Sequence, residues 1–207
     1  GKPVIVPCDE KQGFKITPSQ LEKSITTKTK WFMLNSPSNP TGAVYSKEEL
    51  LALSKVLLKY SHVNILTDDI YEKIIYDGNI FYTLASVVPE LKNRILTLNG
   101  VSKAYCMTGW RLGYCGGPKD IIAAMNKIQS QSNTSTSSIS MAASVEALQG
   151  NQDFINIHNI EFQKRRDMVV EKLNSIDSIT CSIPLGAFYV YPSCAGVIGK
   201  KMPNGDV

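Results

Sequence analysis

Histidine is scarce in this chain: His62 and His158 are the only two in 207 residues. Histidine-rich metal centres and Ser-His-Asp triads are therefore hard to assemble, and no metal is expected. The five cysteines (Cys8, Cys106, Cys115, Cys181 and Cys194) are an odd number with no Cys-x-x-Cys pair. That argues against a disulfide framework or zinc site, and for reduced, mostly buried thiols in a cytoplasmic protein. No apolar run reaches the roughly 18 residues of a membrane span, so no membrane partner is expected. The net charge of +4 is small, and the lysines (Lys11, Lys23, Lys28, Lys30, Lys47, Lys55) are scattered among acids. Without an aromatic–basic stripe, a nucleic-acid partner is not expected. Gly109, Gly113, Gly116 and Gly117 cluster, yet neither G-x-G-x-x-G nor G-x-x-x-x-G-K-[ST] occurs, which excludes a nucleotide loop of those kinds.

With 43% apolar and 19% charged residues, the chain can bury a sizeable core. Lys2–Pro7 alternates toward a short strand at Val4–Val6. Thr17-Pro18-Ser19-Gln20 and Ser46-Lys47-Glu48-Glu49 each read as the capping box of a helix. The second helix carries leucines at 50, 51, 53, 57 and 58 along one side. Trp31–Leu34 and Val63–Leu66 are apolar runs too short for helices and read as buried strands, the second ending at Asp68. Tyr71–Tyr76, Ile95–Leu98 and Arg111–Cys115 are further strand candidates. Helices are predicted at Pro118–Gln129, Ile139–Gln149 and from about Gln152 to Ser175, with Ser130–Ser140 as a polar surface or interface loop.

Strands alternating with capped helices imply an α/β fold: a mainly parallel sheet with helices on both faces. Ile179–Ser182 and Ala187–Tyr191 read as strands of a smaller α+β region. Residues 1–170 are thus assigned to a large domain and 171–207 to the beginning of a small C-terminal one. The abrupt ends, with a turn-like Pro203-Asn204-Gly205 near the last residue, read as those of a piece of a longer protein. Ligands of parallel sheets bind beyond the carboxyl ends of the strands. Asn35, Asp68 and Ser102–Lys103 each follow a predicted strand and should share one rim.

Taken singly, the polar residues near that rim have ordinary explanations. Lys103 reads as a solvated lysine, Asp68 as a turn cap, Tyr71 as a core aromatic, Asn39 as a turn residue and Arg111 as half of a cross-strand ion pair. Together they form an ordered set: Asn39-Pro40-Thr41-Gly42, Asp68-x-x-Tyr71, Ser102-Lys103-x7-Arg111 and Gly186-Ala187-Phe188-Tyr189. This set, over nearly the whole chain, resembles the fold-type I, pyridoxal-phosphate-dependent aminotransferases of class I/II, particularly the bacterial aspartate aminotransferase subgroup.

The resemblance implies that Lys103 forms a Schiff base with pyridoxal 5'-phosphate, and then shuttles the substrate α-proton. Asp68, selected over Asp69 by the spacing to Tyr71, would pair with the protonated ring nitrogen. Tyr71 and Asn39 would bond the phenolic oxygen, with Tyr71 lowering the Schiff-base pKa and Asn39 also reaching the substrate α-carboxylate. Arg111, assisted by Ser102, would clamp the phosphate. Part of the family places a second serine three residues before the lysine, where this chain has Gly100.

The implied reaction is ping-pong amino-group transfer between an amino acid, aspartate by resemblance, and a 2-oxo acid, 2-oxoglutarate by resemblance. The full-length protein would be a cytoplasmic homodimer of amino acid metabolism. The arginine that grips the substrate carboxylate in such enzymes has no counterpart after Arg166, so these 207 residues alone are expected to be inactive. The competing readings are a β-lyase or synthase of similar fold, an aminotransferase-like sensor domain of a transcription regulator, and a truncated, non-catalytic binding protein.

Overall fold

The structure, a computed structural model, describes residues 1–201; Pro203-Asn204-Gly205 and the rest of 202–207 lie outside the described residues. Four strands form one sheet in the order β1 (Trp31–Asn35), β2 (Asn64–Asp68), β3 (Ile95–Gly100), β4 (Gly113–Gly116). The first three are parallel and β4 is antiparallel to β3. In the β1–β2 register Asn35 stands opposite Asp68, so both polar residues end their strands on the same rim.

Among the described residues six helices accompany the sheet: α1 (Pro18–Ser24), α2 (Lys47–Lys59), α3 (Leu84–Val87), α4 (Lys119–Ser132), α5 (Ser138–Gln149) and α6 (Asp153–Asn174). Both predicted capping boxes are present. Thr17 and Gln20 bond reciprocally at the start of α1, and Ser46 and Glu49 do so at the start of α2. Leu50, Leu53 and Leu57 of α2 pack in one core with Leu34, Ile65 and Ile95 of the sheet. Each such burial contributes about 1.5–3 kcal/mol. Leu51 and Leu58, expected on the same side, are 39% and 48% exposed; the step of about 100° per residue turns them off the buried stripe. Arg94 donates to the carbonyls of Leu57, Tyr60 and Val63, satisfying the orphaned end of α2 and tying it to the start of β3.

The opposite sheet face is less covered within the described residues: Leu96 is buried, whereas Met33 is 69% exposed. Beyond β3, Val101, Ala104 and Tyr105 form a second core with Ile155 of α6. No helix among the described residues is long and apolar enough to cross a membrane.

Several expected strands are absent. Val4–Val6 is irregular, with Val4 and Ile5 exposed and no partner strand beside them. Tyr71–Tyr76 is a series of turns whose apolar side chains are buried by tertiary packing. The expected strand Arg111–Cys115 starts later, at Gly113, because Arg111 adopts a left-handed φ of 51° where the chain reverses after a short 3-10 turn. Ile179–Ser182 and Ala187–Tyr191 form no strands; only isolated bridges, Thr180 to Ser193 and Gly186 to Ile75, mark that region. The thiols are less buried than expected: Cys181 is buried, Cys8 and Cys115 are half-buried, and Cys106 and Cys194 are exposed. Helix α4 also extends to Ser132, shortening the expected polar loop.

Helix α6 runs unbroken through residue 170, after which the chain returns to the sheet rim. Gly42 accepts from the backbone N–H groups of Leu185 and Gly186, at 3.1 and 3.0 Å, and Ala187 donates to Ile74 at 2.9 Å. Arg166 of α6 clamps Asp77 with both terminal nitrogens and donates to Pro184 O at 3.0 Å. Gly42 has φ of 67°, and a Cβ there would lie 2.4 Å from Pro184 Cβ and 2.8 Å from Gly186 O. Gly42→Ala is therefore expected to destabilise the protein by about 2–4 kcal/mol, combining left-handed strain with overpacking. A urea midpoint unchanged from that of the unsubstituted protein would disprove this contact.

Candidate active site

The rim site is built by three returns of the chain. The first is the Asn39-Pro40-Thr41-Gly42 turn after β1, closed by Ser38 N to Ala43 O at 2.9 Å and Gly42 N to Ser38 O at 2.8 Å. The Asn39 backbone N–H donates to Asn35 Oδ1 at 2.8 Å, and the Asn35 amide donates to Asp68 O at 2.9 Å. These bonds tie the turn to the ends of β1 and β2.

The second return follows β2. Asp68 is half-buried and accepts the Ile70 N–H at 3.3 Å, a local turn cap that leaves its other oxygen uncommitted. Asp69 differs sharply: it is 4% exposed, and its backbone N–H continues the ladder to Leu98 O. Burial pushes the Asp69 carboxyl up from 3.8 to about 6. With the folded pKa above the unfolded one, the native state holds the extra proton between these values. Stability from this group is thus full below pH ~4 and falls as pH rises to about 6, by at most about 3 kcal/mol. Asp69→Asn should flatten that decline in urea midpoints measured from pH 4 to 7. An identical decline in the variant would rule this out.

The third return is the 101–105 turn after β3. Val101, Ala104 and Tyr105 are buried, and Tyr105 donates to Gln152 at the start of α6 at 3.0 Å. Ser102 and Lys103 lie half-exposed between these anchors. Lys103 Nζ stands 5.7 Å from the Tyr71 ring centroid and 5.8 Å from that of Phe188, distances at which an ammonium is attracted to both rings. No carboxylate pairs with Lys103 among the described residues.

Tyr71 is 3% exposed, and its hydroxyl is 2.5 Å from that of Tyr189. Asn39 Nδ2 donates to Tyr189 Oη at 3.4 Å. Burial raises the Tyr71 pKa, and the Tyr189 hydroxyl raises it further, while the Asn39 amide opposes both. Lys103, Tyr71 and Asn39 are thereby brought into one cluster through Phe188 and Tyr189. Arg111 and Ser102 stand outside it. Arg111 is exposed and donates to Thr108 O at 3.0 Å, with no acidic partner among the described residues, so the alternative of a cross-strand ion pair is not realised. Tyr189 and Phe188 had no role assigned from the sequence. Their Gly-Ala-Phe-Tyr signature was visible, but 118 residues separate Tyr189 from Tyr71, and only the fold joins them.

The mixed sheet with helices, carrying polar groups at its strand ends, is the fold of known aminotransferase structures. The crystal structure of an aspartate aminotransferase from Rhizobium meliloti matches 100% of this chain and 52% of its own, with TM-score 0.98 and 55% identity. An aromatic aminotransferase from Pyrococcus horikoshii OT3 matches 93% of this chain and 51% of its own, with TM-score 0.88 and 35% identity. Among curated relatives, the aspartate aminotransferase of Rhizobium meliloti (strain 1021) is 55% identical over 205 residues, covering 99% of this chain and 50% of that protein. The aspartate/prephenate aminotransferase of Cereibacter sphaeroides is 52% identical over 205 residues, covering 99% of this chain and 51% of that protein. The profile of the family "Aminotransferase class I and II" matches residues 1–202, and the chain belongs to that family. It spans about half the length of the curated relatives it matches.

Proposed function

We propose that the whole protein transfers an amino group between an amino acid and a 2-oxo acid, in ping-pong order, with pyridoxal 5'-phosphate held at Lys103. The observation that carries this reading is the Lys103 ammonium on the strand rim, against Tyr71 and Phe188 and without a carboxylate partner among the described residues. The donor set fits the group: an amine, a carboxylate, two phenols, an amide, and a guanidinium free of acidic partners among the described residues. Bound pyridoxal phosphate supplies a carbonyl that condenses with amines and an electron sink for charge developing at the substrate Cα.

The chain's residues divide the remaining work. Asp68 offers its charge to the ring nitrogen, and Arg111 with Ser102 holds the phosphate. Tyr71 and Asn39 serve the phenolic oxygen, and Asn39 also orients the substrate α-carboxylate. The Lys103 amine, set against its two aromatic neighbours, takes and returns the α-proton. The large and small regions divide near residue 170, and the whole protein acts as a homodimer. Five free thiols fit a reducing, cytoplasmic compartment.

Relatives named for aspartate support aspartate as donor with 2-oxoglutarate as acceptor, and those also named for prephenate support it as a second acceptor. Product analysis with aspartate tests this reading. With 2-oxoglutarate present, oxaloacetate formed in step with glutamate supports it; fumarate plus ammonia without glutamate, or no turnover by the whole protein, refutes it.

A further inference from the structure

We propose that Tyr189 is the positioning residue of Tyr71, fixing the direction in which the Tyr71 hydroxyl proton points. The inference rests on the reading that pyridoxal phosphate binds beside Lys103, and it deepens that reading. Two phenol oxygens 2.5 Å apart require a proton between them, and each phenol carries only one. If Tyr71 supplied that proton, it would have none left for an acceptor beside Lys103. When Tyr189 supplies it, Tyr71 accepts on a lone pair and turns its own proton outward. The Asn39 amide N–H, donating to Tyr189 Oη at 3.4 Å, selects this direction, because a hydroxyl that accepts a hydrogen bond becomes a better donor.

The result is a one-way chain from Asn39 through Tyr189 to Tyr71. Its geometry is held by backbone bonds, Ala187 N to Ile74 O at 2.9 Å and Gly186 N to Gly42 O at 3.0 Å, which fix this segment against both partner loops. The Tyr71 and Tyr189 rings meet edge-on, with centroids 5.6 Å apart. With Tyr71 only 3% exposed, bulk water is not at hand to replace the Tyr189 donor.

The test is a pH titration of the visible absorbance of the whole protein loaded with pyridoxal phosphate, comparing Tyr189→Phe, Tyr71→Phe and the double variant. Phenylalanine keeps each ring and removes only the hydroxyl. Loss of a donor to the phenolic oxygen tightens the hold on the proton in the linkage to Lys103, so the midpoint rises. Tyr189→Phe leaves the Tyr71 donor in place but removes the hydrogen bond that orients and polarises it, so it should raise the midpoint by about 0.3 pH unit, a fraction of the worth of one hydrogen bond. Tyr71→Phe should raise it more, and the double variant should match Tyr71→Phe, because Tyr189 acts through Tyr71. An unmoved midpoint in Tyr189→Phe, or the same increment with residue 71 already phenylalanine, overturns the proposal. Absence of any visible band from the unsubstituted protein overturns the Lys103 reading as well, and that outcome is distinct from a bound chromophore indifferent to residue 189.

Discussion

On the proposed function, replacing Lys103 with alanine is expected to reduce amino-group transfer by at least about 10⁴-fold, since the substitution would remove both the amine proposed to condense with the cofactor and the base proposed to move the α-proton. Stability should barely change. Lys103 is half-exposed, has no carboxylate partner among the described residues, and touches its neighbours mainly through weak ammonium–ring attraction. Such a position costs within about 0.5 kcal/mol when truncated. Turnover of aspartate with 2-oxoglutarate, measured beside urea midpoints, separates the two effects. A loss of activity that tracked a collapse in stability would instead make Lys103 a structural residue, and retained turnover would remove it from the chemistry.

Asp68→Asn carries the second largest expected effect. The amide oxygen can still accept the Ile70 N–H, so the turn survives while the charge is lost. A charge aimed at the ring nitrogen stabilises the electron-rich form of the reacting system, and losing one such contact costs about 10²–10³-fold in kcat. Asp69→Asn is the control. That carboxyl is buried, with a pKa near 6, and its substitution should alter the pH dependence of stability while leaving kcat within about twofold. Equal losses in the two variants would contradict the assignment of the ring partner to Asp68.

The contrast between these neighbours shows what was legible in the sequence. The family resemblance selects Asp68 over Asp69 by its spacing to Tyr71; in β2 Thr67 and Asp69 are buried, and Asp68 between them is less so. Both capping boxes and strands β1, β2 and β3 were readable because their signals are local, made by hydrogen bonds and apolar runs within a few residues. Tyr71–Tyr76 and Ala187–Tyr191 were misread as strands for the opposite reason. Their aromatic and β-branched side chains are buried by contacts across the chain, Tyr76 donating to Ala187 O and Ala187 packing with Tyr71 and Ile74, and burial of that kind mimics strand periodicity. The Asn39–Tyr189–Tyr71 chain was beyond the sequence, since nothing local to Tyr189 specifies a partner more than a hundred residues earlier. Arg111 was placed at the start of the expected strand Arg111–Cys115, and its left-handed backbone appears only once the reversal into β4 is built.

The most direct test of the proposed chemistry is covalent trapping: borohydride reduction of the whole protein equilibrated with pyridoxal phosphate, followed by peptide mass mapping. A single phosphopyridoxyl group on Lys103, absent from Lys103→Ala, is the predicted result. Reduction that labels other lysines and leaves Lys103 unmodified would contradict it.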